Sequence, residues 1–257
     1  MNTQQILTAY LTIVRKDTMR MLGLWKQTFV PSVVTTILYF LVFGTFIGSQ
    51  LPAINGFSYI QFIVPGLIMM QVIMNAYSNT ATALFMAKFQ RNIEEMLVSP
   101  MPGWVIIAGY VTAGIVRGFI VGILVLITAL FFTHIAIVNI AVVLAAFILT
   151  CVLFSLAGFL NAMFAESFDS ISIVPTFVLT PLTFLGGVFY SISRFPPFWQ
   201  KVSLGNPILY MVDLFRYGFL GISDINILFA FSVILGLIAV LLGTILWLFN
   251  NGVGVKA

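Results

Sequence analysis

His134 and Cys151 are the only histidine and the only cysteine in the chain, and that scarcity limits the chemistry it can do. A zinc site needs three or four His, Cys or carboxylate ligands at short spacing, and the sequence holds no such set. A Ser–His–acid hydrolase would rest on His134 alone, within Thr133–Asn139, which reads as a loop. Cys151 lies inside an apolar run without a partner thiol and is expected to pack as a small hydrophobe. There is no G-x-x-x-x-G-K-S/T phosphate loop, so ATP is not bound by that device. Ion-coupled transport calls for ionisable residues at mid-membrane depth. Arg117 is the one strong candidate, because Glu166, Asp169, Asp213 and Asp224 all fall at the ends of apolar runs or between them. With no acid expected near it in the bilayer, Arg117 is read as reaching back to the headgroups in preference to serving as a substrate counter-ion.

The most informative polar stretch is Met86–Leu97. Phe89, Ile93 and Met96/Leu97 recur at helical spacing, while Lys88, Arg91, Glu94 and Glu95 occupy other faces. A solvated turn with an interfacial stripe would look this way, and so would a short helix that docks into a groove on a partner.

The elements that position these residues follow from composition. Hydrophobic residues make up 61% of the chain and charged ones 7%, against about 25% charged in a soluble domain. Mean hydropathy is +1.14, so lipid is the solvent that fits. The apolar residues come in long blocks, not in alternation, which excludes a β-barrel. The net charge of +4 comes without a basic cluster interleaved with aromatics, so no nucleic-acid partner is expected. A cleavable leader is not expected either, because the first apolar run starts near Phe29 and is long enough to remain as an anchor.

Charge-free runs from Gln27 to Ala87 and from Gly118 to Ala165 each exceed the roughly 20 residues one span needs. Polar turns at Ser49–Gly56 and Thr133–Asn139 divide them. Six spans are expected, near Phe29–Gly48, Ser58–Phe85, Gly109–Phe132, Ile140–Phe164, Ile171–Tyr190 and Ile225–Phe249. Arg15, Lys16, Arg20, Lys26, Lys88, Arg91 and Lys256 fall on one side, and Arg194, Lys201 and Arg216 on the other. That bias places both termini in the cytoplasm. Residues 1–26 carry Leu7, Leu11, Val14, Met21, Leu22 and Trp25 on one helical face, the pattern of a basic amphipathic helix in the interface. Ser191–Asp224 is too apolar for an exposed loop, and Pro196, Pro197 and Pro207 cut it into pieces too short to span. Re-entrant or interfacial half-helices fit it. No internal repeat is evident.

Two signatures carry a family resemblance. Phe89-Gln90-Arg91-Asn92-Ile93-Glu94-Glu95-Met96-Leu97-Val98-Ser99-Pro100 is similar to the first cytoplasmic loop of ABC-2 type ABC transporter permeases, which holds their coupling helix. Pro181–Tyr190 with its Gly186-Gly187 pair, then Phe195-Pro196-Pro197-Phe198-Trp199, Asn206-Pro207-Ile208-Leu209-Tyr210 and Arg216, resembles their fifth span and the re-entrant outer segment after it. The resemblance covers the whole chain as one transmembrane domain, 1–257, with the coupling loop at 86–103 and the outer segment at 191–224. It implies an all-α integral membrane protein of six transmembrane helices, with an N-terminal interfacial helix and re-entrant helices between spans five and six. The implied role is the inner-membrane permease subunit of an exporter of amphiphiles such as drugs or lipid-linked saccharides. It further implies a second permease chain, a homodimer, and two copies of a separate cytoplasmic ATPase, with ATP and Mg held by that ATPase and no cofactor in this chain. Phe89, Gln90, Arg91, Asn92, Ile93, Glu94, Glu95 and Leu97 would contact the ATPase, and Phe89, Ile93 and Leu97 would enter its groove. A secondary transporter or channel that needs no ATPase is the alternative of a different class.

Overall fold

A computed structural model of the chain describes residues 2–254; Lys256 lies outside the described residues. Among them there is no strand, only an isolated bridge between Ile54 and Phe57. The helices are α1 (Thr3–Gly23), α2 (Trp25–Gln50), α3 (Tyr59–Phe89), α4 (Asn92–Val98), α5 (Gly103–Leu130), α6 (Ile140–Phe164), α7 (Phe168–Leu185), α8 (Pro197–Leu204), α9 (Pro207–Leu220) and α10 (Ile227–Asn250). Six of them, α2, α3, α5, α6, α7 and α10, are long and apolar enough to cross a membrane.

The bundle is built around α3. Of its 31 residues 23 are buried, and it packs against α5, α6 and α9. Lipid offers no hydrophobic drive between helices, so close approach depends on small residues at the crossings. A Cβ on Gly158 of α6 would sit 2.4 Å from the Tyr77 carbonyl of α3. One on Gly114 of α5 would sit 2.2 Å from the Ser155 hydroxyl of α6. Gly158 lets α6 and α3 meet nearly backbone to backbone, and Gly114 makes room on α5 for the Ser155 and Thr80 hydroxyls of those two spans.

The outer ring is looser. α2, α7 and α10 bury little of their length and present Phe46, Phe177 and Leu228 outward. Two of these spans widen into π turns, at Phe40–Ile47 and Val174–Leu179. In α7 the cause is visible. Pro175 and Pro181 lack the N–H that an α-helical ladder requires, and the Thr180 hydroxyl donates to the Pro175 carbonyl at 2.9 Å.

Two span limits differ most from those expected, and the others shift by four residues or fewer. The third span starts at Gly103, not Gly109, because Pro102 forms its N-cap and Trp104–Ala108 continue the apolar run. The fifth ends at Leu185, not Tyr190, because Gly186 caps it and Gly187 turns the chain at φ 74°, a conformation open to glycine.

Both described chain ends lie at one end of the bundle, with α1 and α4. Ile13 of α1 packs on Gly109 of α5, and Gly254 packs on Met163 at the close of α6. At the opposite end the Tyr59 hydroxyl donates to the Phe189 carbonyl at 3.0 Å, and the Gln61 amide donates to the His134 carbonyl at 3.3 Å.

Candidate functional site

At the α1 end, α3 passes into α4 through Arg91, whose φ of 61° is left-handed. This turn separates two residues that share a face only if one helix runs through them. Phe89, the last residue of α3, is 67% exposed, whereas Ile93 is 2% exposed. The expectation that Phe89, Ile93 and Leu97 form one outward stripe is therefore corrected: Ile93 faces this chain's own core and anchors α4. The surface that α4 and its approach present consists of Phe89, Gln90, Arg91, Glu94, Glu95 and Leu97, with Val98 at 88% exposure, while Asn92 is partly buried. Asn92 donates to the Gln90 side chain at 3.1 Å. Glu94 and Glu95 stand in the first turn, where the helix dipole favours negative charge.

The junction is braced from behind. Lys88 donates to the Ala162 and Met163 carbonyls at 3.1 and 2.6 Å, meeting acceptors that the end of α6 leaves without helical partners. The Phe89 ring stacks on Phe85 at 6.3 Å and meets Phe168 of α7 edge-on at 5.6 Å. Between α4 and α1 runs an open groove of about 650 Å³, walled by Gln4, Thr8, Thr12, Glu95, Met96 and Met101.

α1 does not lie on the bundle by its apolar stripe alone. Leu7, Leu11, Leu22 and Trp25 are exposed, as an interfacial helix requires, but the buried face is Ile13, Asp17 and Met21. Asp17 accepts from Nε and Nη2 of Arg20 at 2.9 and 2.6 Å on one oxygen, and from Asn79 of α3 at 2.8 Å on the other. One turn further along α3, Asn75 donates to Ser32 of α2 at 3.0 Å and accepts from Nε of Arg117 at 3.1 Å. Arg117 thus has an acid in its surroundings after all, since its partner Asn75 stands one turn from Asn79, which donates to Asp17. The carboxylate comes from the N-terminal helix, not from a span. Its signal was legible as an acid placed i+4 from Ile13 and i−4 from Met21, in the middle of an apolar face.

At the opposite end, Ser191–Asp224 folds as α8 and α9, joined to α7 by a short 3₁₀ turn at Ile192–Arg194. α9 is buried at twelve of its fourteen residues. Asn206 caps it, accepting from the Ile208 amide at 3.0 Å and donating to the Leu182 carbonyl of α7 at 2.6 Å; Pro207 takes the first helical position, where its missing N–H is harmless. Gly186 leaves room for Ile208, as a Cβ there would stand 2.7 Å from it. Arg216, 2% exposed, donates through Nη2 to the Gly187 carbonyl and lies 4.0 Å above the Phe62 ring of α3, a cation–π geometry. Gly186, Gly187, Asn206, Pro207 and Arg216 are thus brought together. Pro196 and Pro197 are exposed, and they start α8, which turns Phe198 and Trp199 outward.

Two carboxylates tie the segment to itself and to the turn that leads into α10. Asp213 accepts from the Ser223 hydroxyl at 2.6 Å and from the Asp224 and Ile225 amides at 2.9 and 3.1 Å. Burial holds its pKa above the usual carboxylate value, with those donors pulling only partly against it. Asp224 accepts from the Ser191 hydroxyl and the Ile192 amide. His134 is exposed and Cys151 is buried against Gly118. No group of three potential metal ligands occurs among the described residues.

With this geometry in place, comparison with known proteins is decisive. The sequence profile of the ABC-2 type transporter family matches residues 8–220. The inner membrane transport permease YadH of Escherichia coli (strain K12) is 56% identical over 223 residues, 87% of each chain. Nodulation protein J of Rhizobium leguminosarum bv. viciae is 24% identical over 208 residues, 79% of this chain and 80% of its own. A profile match over most of the chain, six spanning helices and a relative of that identity together place this multi-pass inner-membrane protein in the ABC-2 type transporter family, as a transport permease.

Proposed function

We propose that the chain is the membrane-spanning subunit of an ATP-driven exporter, working as a homodimer with two copies of a separate ATPase on the cytoplasmic side. The observation that carries this reading is the α3–α4 junction. An exposed patch of Phe89, Gln90, Arg91, Glu94, Glu95, Leu97 and Val98 continues directly from α3, the most buried span of the bundle, and is anchored by Ile93 in the core and by Lys88 on the end of α6. Movement imposed on that patch by closing ATPases would be delivered to α3 with little loss, because a packed interior transmits strain. ATP and Mg belong to the ATPase, and the permease supplies the pathway and the contact.

The cargo class is an amphiphile such as a drug or a lipid-linked saccharide. This follows the resemblance and suits a bundle whose outer spans are apolar, with polar clusters at both ends. Among the described residues, six Lys and Arg on the α1 side against three on the other support a cytoplasmic α1 end, with the outer segment capping the opposite face.

The test is purification of the tagged permease from its native membrane, followed by reconstitution. A P-loop ATPase should co-purify, and transport should require ATP. Transport that continues without ATP or a bound ATPase would show a secondary transporter or channel instead.

A further inference from the structure

We infer that Arg117 and Arg20 form a binding site for the headgroup of an anionic membrane phospholipid, at the elbow where α1 turns into α2. The argument begins with charge. The Arg20–Asp17 pair is the one salt bridge among the described residues. Both oxygens of Asp17 are engaged, because one takes both Arg20 contacts and the other takes Asn79. Arg117 is linked to that pair through Asn75 and Asn79, one turn apart on α3, so the sum over the three groups is one positive charge in excess. Its only hydrogen bond to a described residue runs from Nε to Asn75. Both of its terminal amino groups, and Nη1 of Arg20, have no acceptor among those residues.

An arginine within a span is costly unless it is paired or reaches water or headgroups. Burial does not hide these donors. Arg117 is partly exposed, the Arg20 side chain is 32% exposed, and the terminal nitrogens of neither are among the buried atoms left without a partner. Arg117 lies at the depth of Ser32, to which Asn75 joins it, about two turns into α2 from Trp25 by helical rise. Asn75 holds the Arg117 fork in place: it donates to Ser32 and to the Gln71 carbonyl while accepting from Nε. Two guanidinium groups with donors left over match the oxygens of a phosphate.

Position selects a resident lipid over a soluble anion. The exposed apolar stripe Leu7, Leu11, Leu22 and Trp25 of α1 sets that helix at headgroup depth. Arg15, Lys16 and Lys26 around it are exposed and raise the local concentration of anionic lipid. The acyl chains of such a lipid would run along α2 and α5, which expose Val34, Leu38, Phe119 and Ile123.

The site does not depend on ATPase coupling, so it is tested on the permease alone. Native mass spectrometry follows lipid retained during delipidation, with phosphatidylglycerol or phosphatidylcholine supplied, and thermal melting in detergent is measured beside it. Wild type should keep one phosphatidylglycerol per chain and melt higher with it, while phosphatidylcholine does neither. Arg117→Gln should lower retention at least tenfold. Arg117→Lys, which keeps the charge but not the fork, should lower it severalfold, and Lys201→Gln at the far end should leave it unchanged. Millimolar inorganic phosphate should not displace the lipid. Equal retention of the two lipids by wild type overturns the proposal even if Arg117→Gln does not fold. So does undiminished retention in a folded Arg117→Gln. Displacement by inorganic phosphate would mean a free-anion site, and an Arg117-dependent adduct with a mass other than a phospholipid would mean cargo; either result also overturns it.

Discussion

Phe89 and Ile93 stand four residues apart, and the left-handed Arg91 between them gives them opposite roles. Ile93 is enclosed by its own chain, so Ile93→Ala should lose about 2–5 kcal/mol of stability, the range for truncating a buried aliphatic side chain. SDS-titrated unfolding of the purified permease measures that loss. Phe89→Ala removes a mostly exposed ring and should shift unfolding by less than about 1 kcal/mol. It should nonetheless reduce ATPase capture in a pull-down clearly, as truncation of a contact anchor costs about 2 kcal/mol or more of binding. Arg91→Ala should weaken capture less, with an effect that fades at high salt because exposed charges are screened. Full ATPase capture by Phe89→Ala would remove the α4 patch from the contact. At the other end Asn206 serves both as N-cap of α9 and as donor to Leu182. Asn206→Ala should cost about 1–2 kcal/mol, read in the same titration.

Among the elements, α3 is the one on which the others depend, and its crossing with α6 is set by the absence of a side chain. Gly158→Ala would place a methyl 2.4 Å from the Tyr77 carbonyl, and a backbone atom cannot swing away as a flexible side chain can. The two spans must part, which costs about 1–3 kcal/mol for overpacking and loosens every contact that α3 organises. Gly236 of α10, with nothing within 4 Å of its added Cβ, is the matched control, and Gly236→Ala should leave the unfolding midpoint unchanged or slightly raised. Equal effects of the two substitutions would show that α3 and α6 do not cross this closely. α1 belongs to the same scale. It is joined to α5 by Tyr10 and Thr112, whose hydroxyls lie 2.8 Å apart, and to α3 by Asp17, so it is tied to the bundle with its outer apolar stripe left exposed.

For the whole molecule, an even number of spans returns the chain to the end where it began, and the orientation proposed from the charge bias, with that end in the cytoplasm, is open to a direct test. Single cysteines replacing Asn55 and Lys201 should react with an impermeant maleimide from the periplasm, and one replacing Gln90 only after the membrane is opened. The native thiol is a silent background, because Cys151 is buried and burial keeps a thiol unreactive. Labelling of Gln90→Cys in intact cells, without labelling of Asn55→Cys, would invert the topology.

The spans, the polar turns between them and the apolar, proline-cut character of Ser191–Asp224 were all readable in the amino-acid sequence. The bilayer selects on composition averaged over about twenty residues, a local property that needs no knowledge of neighbours. Glycine and proline likewise mark ends through their own backbone limits, although Pro102 and Gly187 shifted two boundaries by several residues. Which side of each helix faces inward was decided elsewhere. Ile93 turns in because Arg91 adopts a left-handed backbone, which helical periodicity cannot register. Asp17 is buried because Asn79, 62 residues away, is there to donate to it. Arg117 finds Asn75 on a different span. Arg216, counted by charge as an outer residue, is enclosed between Phe62 and the Gly187 carbonyl. Each of these outcomes satisfies a polar group in a medium that offers few alternatives. The satisfying partner lies far along the chain, so only tertiary packing could choose it.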